Sequence, residues 1–214
     1  MNTPDDHMLR LPVKLEQNVE CPFRASPYAA GLDIRAAEDL ILPPGASCLL
    51  SSGLSFAIPA GYEVQIRPRS GLSWKSRLRL ANSPGTIDAD YRDEIRIILW
   101  NAFSQSEIPA LIAEDSPLLE RFGAIAEMVS LEEYLKARGK NFDYPESLLQ
   151  TPLYLDSRGE LYGTETIQKG ERVAQMILCP YPEFEFMELD DISHIGHDRG
   201  GGFGHTGRFE KSDS

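Results

Sequence analysis

Residues 82–101 read NSPGTIDADYRDEIRIILWN, a polar turn running straight into an apolar strand. Asn82-Ser83-Pro84-Gly85 has turn chemistry, and Ile95 to Asn101 has the β-branched and aromatic composition of a strand. The segment is expected to form a β-hairpin. Its tip carries an unusual set of groups: the amide of Asn82, the carboxylates of Asp88 and Asp90, and the phenol of Tyr91.

Similar short runs surround it. LRLPVKL (9–15) alternates apolar and polar residues, and LDIRA, ASCLL, LSFAI, YEVQIR and RLRL follow, separated by turn residues at Pro43-Pro44-Gly45, Ser51-Ser52-Gly53, Pro59-Ala60-Gly61 and Ser70-Gly71. Short strands at regular spacing point to an all-β sandwich or barrel. ERVAQMIL (171–178) and EFEFME (183–188) continue the pattern near the C-terminus.

Between them the pattern changes. In SPLLERFGAIAEMV (116–129), Ser116 and Pro117 suit a helix start, and Leu118, Leu119, Phe122, Ile125, Ala126 and Val129 recur at helical spacing. Ser130 and Glu133 fit a capping box for a second helix, which Gly139 ends. LYLDSRGELYG (153–163) suits a hairpin. The expected organisation is a β core from 1–103 and 165–195, an α-rich insertion at 104–164, and a flexible, Gly-rich arm at 196–214.

The chain has 214 residues and a formal net charge of −12, which disfavours duplex nucleic acid or an anionic membrane as a partner. A local basic cluster can still hold a small anion. No apolar run is long enough to span a membrane as a helix, and no signal sequence is evident. Cys21, Cys48 and Cys179 read as reduced, buried thiols of a cytoplasmic protein rather than a disulfide framework.

The chemistry concentrates in two stretches. In 82–94, Asn82 suits the edge of a base, Pro84 and Gly85 let backbone approach a ligand, and Tyr91 offers a flat face for a sugar. Asp88 is placed to take a proton from an attacking water. A solvated polar turn explains the same residues when they are taken alone. In RPRSGLSWK (67–75), Arg69 supplies a planar cationic fork, and Ser70 and Gly71 supply backbone N–H groups: a phosphate seat. His194 and His197, beside Asp198, read as solvated side chains rather than a metal site.

Five motifs stand in order: AAGLDIRA (29–36), RPRSGL (67–72), NSPGTIDADYRDE (82–94), GERVAQ (170–175) and RGGGFGHTG (199–207). With them the chain resembles the trimeric deoxyuridine triphosphatases (dUTP diphosphatases). The resemblance implies a β jelly roll, a homotrimer with sites shared between subunits, and Mg²⁺-assisted hydrolysis of dUTP to dUMP and pyrophosphate. Asp88 would orient the water attacking the α-phosphorus. Uracil and deoxyribose would be held by Asn82, the backbone of Gly85, Thr86, Ile87 and Asp88, and Tyr91, Arg96, Phe203 and Gly204. Arg69, Ser70, Gly71, Gln175, Arg199, His205 and Thr206 would hold the phosphates. Asp33 would touch the metal through water, with no direct protein ligand.

Two positions depart from the family pattern. Asp93 stands where glycine is usual, and the fifth motif is one residue short, so its arginine position falls on Asp198 beside Arg199. The insertion is the largest departure, and a protein partner bound through it is one expectation. Two rivals remain at this level: a dCTP deaminase of similar fold, which should lack the Asp90-Tyr91 pair, and a nucleotide-binding regulatory module.

Overall fold

A computed structural model describes residues 9–114, 123 and 126–197. Its strands are β1 (Val13–Leu15), β2 (Leu32–Arg35), β3 (Leu40–Leu42), β4 (Ser47–Ser51), β5 (Leu54–Phe56), β6 (Tyr62–Pro68) and β7 (Leu78–Leu80). They continue as β8 (Gly85–Ile87), β9 (Arg96–Asn101), β10 (Ala126–Ser130), β11 (Pro152–Asp156), β12 (Glu165–Ile167) and β13 (Arg172–Pro180). The described helices are short: α1 (Ser70–Lys75), α2 (Ile108–Glu114), α3 (Leu131–Ala137) and α4 (Glu146–Leu149), with one 3₁₀ turn at Gln105–Glu107. The all-β expectation holds.

Two sheets position everything else. One has the order β2-β13-β6-β8 and the other β4-β9-β7, while β1-β5 and β3-β12 pair beside them. Alternation decides which side chains go inside. Ile34, Val64, Ile66, Ala174 and Met176 come from the first sheet, and Leu50, Leu78, Leu80, Ile97 and Leu99 from the second. They form one cluster with Leu42, Leu54, Phe56 and Ile167. At roughly 1.5–3 kcal/mol for each fully buried aliphatic side chain, this cluster is the main stabilising term.

The expected hairpin at 82–101 is corrected. β8 pairs with β6, whereas β9 pairs with β4 and β7, so the two strands lie in different sheets. The segment between them is too long for a tight hairpin turn. It lets Ile87 join one sheet while Ile95, fully buried, donates its N–H to the Leu54 carbonyl at 2.7 Å.

Other expectations are corrected as well. The helix start at Ser116 and Pro117 lies outside the described residues, but Ala126 and Val129 belong to β10, which pairs with β11 in register Ala126↔Asp156. A partner strand outweighs weak helical spacing there. EFEFME forms no strand: with no described partner its backbone gains nothing from extension. Phe184 and Phe186 stay 76% and 89% exposed and meet edge to face at 5.2 Å. Cys21 is exposed and Cys48 and Cys179 half-buried, so the thiols are free but not all buried.

The second helix, α3, forms as expected. Ser130 Oγ accepts from the Glu133 N–H, and Glu133 accepts from the Ser130 N–H at 2.8 Å; Gly139 follows at φ 63°. At 153–163 the chain turns back, with the Asp156 N–H donating to the Glu160 carbonyl and the Tyr162 N–H to the Tyr154 carbonyl.

Polar side chains tie residues 104–164 to the sheets. Asn101, fully buried, donates to the Leu42 and Gly163 carbonyls and accepts from the Phe103 N–H. Gln105 donates to the Tyr154 and Tyr162 carbonyls and accepts from the Tyr154 N–H. Phe103 and Ile108 nucleate a second apolar cluster with Ile112, Ala126, Tyr154 and Tyr162.

The chain divides into two compact units, Met1–Tyr181 and Pro182–Ser214. Among the described residues, no helix is long and apolar enough to cross a membrane.

Candidate active site

The outward face of the larger sheet carries a polar row. Register places Asp33 opposite Gln175 and Gln175 opposite Arg67, so three neighbouring strands present these residues on one face. Their sequence neighbours Ile34, Ala174 and Ile66 point into the core. Period two therefore sorts apolar packing from polar chemistry along the same strands.

Asp33 is held on both oxygens. Arg69 Nε donates to Oδ1 at 2.7 Å and Arg172 Nη1 to Oδ2 at 3.1 Å. Arg69 Nη1 also donates to the Arg172 carbonyl at 3.1 Å, closing a three-residue ring. Side-chain exposures of 18% for Asp33 and 22% for Arg69 make this more than a loose surface pair.

Gln175 donates to the Pro68 carbonyl at 2.8 Å. Its side chain lies across Gly31, where an added Cβ would stand 2.5 Å from Gln175 Oε1. Glycine in the first motif thus leaves room for the amide of the fourth.

After Arg69 the chain enters a short helix. Ser70 and Gly71 open α1, with Arg69 as an N-cap that makes no side-chain bond to the helix. The first N–H groups of such a turn have no intrahelical partner. Arg69, Gly71, Lys75, Arg35, Lys169 and Arg172 line one open cleft with Glu171. In a chain of net charge −12, this is a local concentration of cations suited to a polyanion. Arg172, Lys169 and Arg35 were not singled out in the sequence. Their signal was the bare presence of Arg35 in AAGLDIRA and Arg172 in GERVAQ, and only topology brings Lys169 to them.

The third motif forms a separate group. Asp88 is exposed just beyond β8, where its carbonyl accepts from the Tyr91 N–H at 3.2 Å. Tyr91 is fixed by donating its hydroxyl proton to the Glu94 carbonyl at 3.0 Å, leaving the ring 39% exposed. The Asn82 amide lies against Gly85, 3.1 Å from where a Cβ would be. Thr86 is exposed and Ile87 half-buried. Asp93 needs no left-handed backbone, since among the described residues Asn18 alone of the non-glycine residues has positive φ. The aspartate in that position therefore adds no strain.

Glu94 braces this loop. Burial alone would raise its pKa, but hydrogen bonds from the Ser51 hydroxyl and the Gly53 N–H, with Arg96 beside it, hold it below the ordinary carboxylate range. Arg96, expected at the uracil site, has its Nε 3.4 Å from Glu94 Oε2.

The two groups do not meet within one chain. Pairing of Gly85 with Ile66 and Ile87 with Val64 sets Asp88 beside the Glu63 end of β6, while Arg69 follows its other end. Six residues of strand put them roughly 20 Å apart.

Arg199, Phe203, Gly204, His205 and Thr206 lie outside the described residues. His194 Nδ1 is 3.9 Å from Asp191 Oδ2, both side chains being largely exposed. Among the described residues no cluster of His, Cys, Asp and Glu could cage a metal ion. One lone pair on each Asp33 oxygen also already faces a guanidinium. An ion arriving with substrate oxygens and its own waters is compatible with these residues.

The two sheets thus form an all-β scaffold with a cationic cleft at one end of β6 and an acid–phenol pair at the other. Comparison with known proteins makes the class specific. The dUTPase family profile matches residues 17–109. A deoxyuridine 5'-triphosphate nucleotidohydrolase of Nautilia profundicola is 32% identical over 196 residues, spanning 91% of this chain and 96% of its own length. The corresponding protein of Aquifex aeolicus is 43% identical over 115 residues, covering 53% and 70%. The dUTPase of Staphylococcus bacteriophage 80alpha, solved with dUpNHpp, shares the jelly-roll fold with a TM-score of 0.65 over 94% of this chain and 99% of its own, at 22% identity. A phage phi11 dUTPase, described as coordinating a structural Mg(II) ion, gives 0.59 at 26% identity, covering 86% and 98%. The chain belongs to the dUTPase family.

Proposed function

We propose that the protein hydrolyses dUTP to dUMP and pyrophosphate, limiting uracil incorporation into DNA, and does so as a homotrimer with sites shared between chains. The carrying observation is the separation of Asp88 from Arg69 along β6. A general base and a phosphate seat roughly 20 Å apart cannot act on one triphosphate. Symmetric association brings Asp88 of one subunit to the cationic cleft of another.

In that arrangement Asp88 accepts a proton from the water attacking the α-phosphorus, and pyrophosphate leaves. The cleft supplies charge neutralisation and in-line positioning, which is most of what phosphoryl transfer requires. Arg69 binds through its planar fork, while Ser70 and Gly71 offer backbone N–H groups and Gln175 a nearby amide. Magnesium, when bound with the triphosphate, would supply charge neutralisation. Asp33 would meet such an ion through water, with no direct protein ligand.

Asn82 and the Gly85–Ile87 backbone read uracil. A donor aimed at the uracil 4-oxo group would face the amino group of cytosine, so dCTP leaves polar groups unpaired. Close main-chain walls formed by β8 and the loop after it exclude the thymine methyl, and Tyr91 under the sugar excludes a 2′-hydroxyl. Phe203, Gly204, His205, Thr206 and Arg199 are assigned to substrate binding by the family resemblance alone, and deleting residues 196–214 should cost most of the activity. The insertion remains a candidate surface for a protein partner.

The test is to incubate the purified protein with Mg²⁺ and each dNTP, following pyrophosphate and ammonia. Pyrophosphate from dUTP alone is the expected result. Ammonia from dCTP would mark a deaminase, and dUTP binding without turnover a regulatory module.

A further inference from the structure

We propose that Arg172 is a positioning residue that, acting through Asp33, sets the direction of the Arg69 guanidinium for the phosphate chain. The inference rests on the dUTP-hydrolysing reading and deepens it. The first-motif aspartate serves here chiefly as an organiser of arginines.

The ring of contacts carries this. Arg69 offers five N–H donors. One from Nε is taken by Asp33 Oδ1 at 2.7 Å and one from Nη1 by the Arg172 carbonyl at 3.1 Å. Three remain, one on Nη1 and two on Nη2, and one N–H from each of these nitrogens makes the parallel pair suited to bidentate phosphate binding. That edge keeps its direction only while Asp33 stays still. Arg172 Nη1, 3.1 Å from Oδ2, holds the second oxygen and stops the carboxylate rotating about its Cβ–Cγ bond.

The backbone reinforces the arrangement. β13 pairs with β2 and β6 and delivers the Arg172 side chain and carbonyl together at its start. The register shift between Arg172 and Ala174 lies at that point, so Arg172 is set by a bulge rather than by regular alternation. Two guanidiniums facing one carboxylate also leave about one net positive charge for the incoming phosphates.

Arg172→Met removes the brace while leaving the strand intact; at 47% side-chain exposure the position tolerates the change. The expected result is a KM for dUTP raised about tenfold, the effect of one weakened charge-assisted hydrogen bond, with kcat within about threefold. Pyrophosphate affinity, measured by calorimetry, should fall by a similar factor, and inhibition by deoxyuridine should not change. Arg172→Lys, which keeps the charge but loses the fork, should recover only part. In Asp33→Asn, adding Arg172→Met should bring little further loss, because both act through one device. Unchanged pyrophosphate affinity in Arg172→Met, or additive losses in the double variant, would overturn the assignment. A wild-type protein that binds pyrophosphate but does not turn over dUTP would instead count against the functional reading.

Discussion

Replacing Asn101 with alanine probes the junction that joins the β core to residues 104–164. Asn101 is fully buried and makes three hydrogen bonds, at 3.0 Å to the Leu42 carbonyl, 2.8 Å to the Gly163 carbonyl and 3.1 Å from the Phe103 N–H. Alanine removes all three and leaves their backbone partners in the interior. An unsatisfied buried group costs about 1–3 kcal/mol, with carbonyls at the lower end because they have two lone pairs. The summed effect is about 3–5 kcal/mol, a large share of the roughly 5–15 kcal/mol typical of a domain. Equilibrium urea unfolding measures it as a lower midpoint at unchanged slope. Ser106→Ala, at the exposed end of a hydroxyl pair, is the control and should shift stability by under about 0.5 kcal/mol. A loss below about 1 kcal/mol in Asn101→Ala would refute this account of the junction.

Further outcomes follow from the site. Asp88→Asn should leave nucleotide binding nearly intact and lower turnover by roughly 10²–10⁴ in a steady-state assay; unchanged turnover would remove Asp88 from the role of base. Gly31→Ala pushes the Gln175 amide from its place, so KM for dUTP should rise about tenfold with stability changed by under about 1 kcal/mol. An unchanged KM would separate Gln175 from substrate. Glu94 has a folded pKa below its ordinary value, so its stabilisation is full above about pH 4.5 and is lost as pH falls through the depressed value. The stability gap between wild type and Glu94→Gln should therefore narrow from pH 7 to pH 3 in denaturant titrations. A gap independent of pH would contradict the bracing role.

Strand-level alternation was legible because one face of each strand must be buried, and LDIRA, YEVQIR and ERVAQMIL declared themselves that way. Pairing was not legible. β8 and β9 are neighbours in sequence, and their separation into different sheets depends on Ile95 finding Leu54 far upstream. β10 carried helix-compatible spacing, and only its partner β11 made it a strand. EFEFME alternated well but found no described partner. Among site residues, Asp33, Arg69 and Gln175 were readable from their motifs. The contribution of Arg172, Lys169 and Arg35 was hidden, because a basic residue in a strand or turn has no distinguishing local pattern until the register brings it to a cleft.

In the proposed trimer Asp88 and Arg69 act together from different chains. Mixing Asp88→Asn subunits with Arg69→Met subunits, after dissociation and reassembly, tests it directly. If each site draws these residues from two chains, random assembly gives both native residues to about a quarter of the sites, and dUTP hydrolysis returns to about that fraction of wild type. Activity no greater than that of the separate variants, in assemblies shown to be mixed, would contradict it.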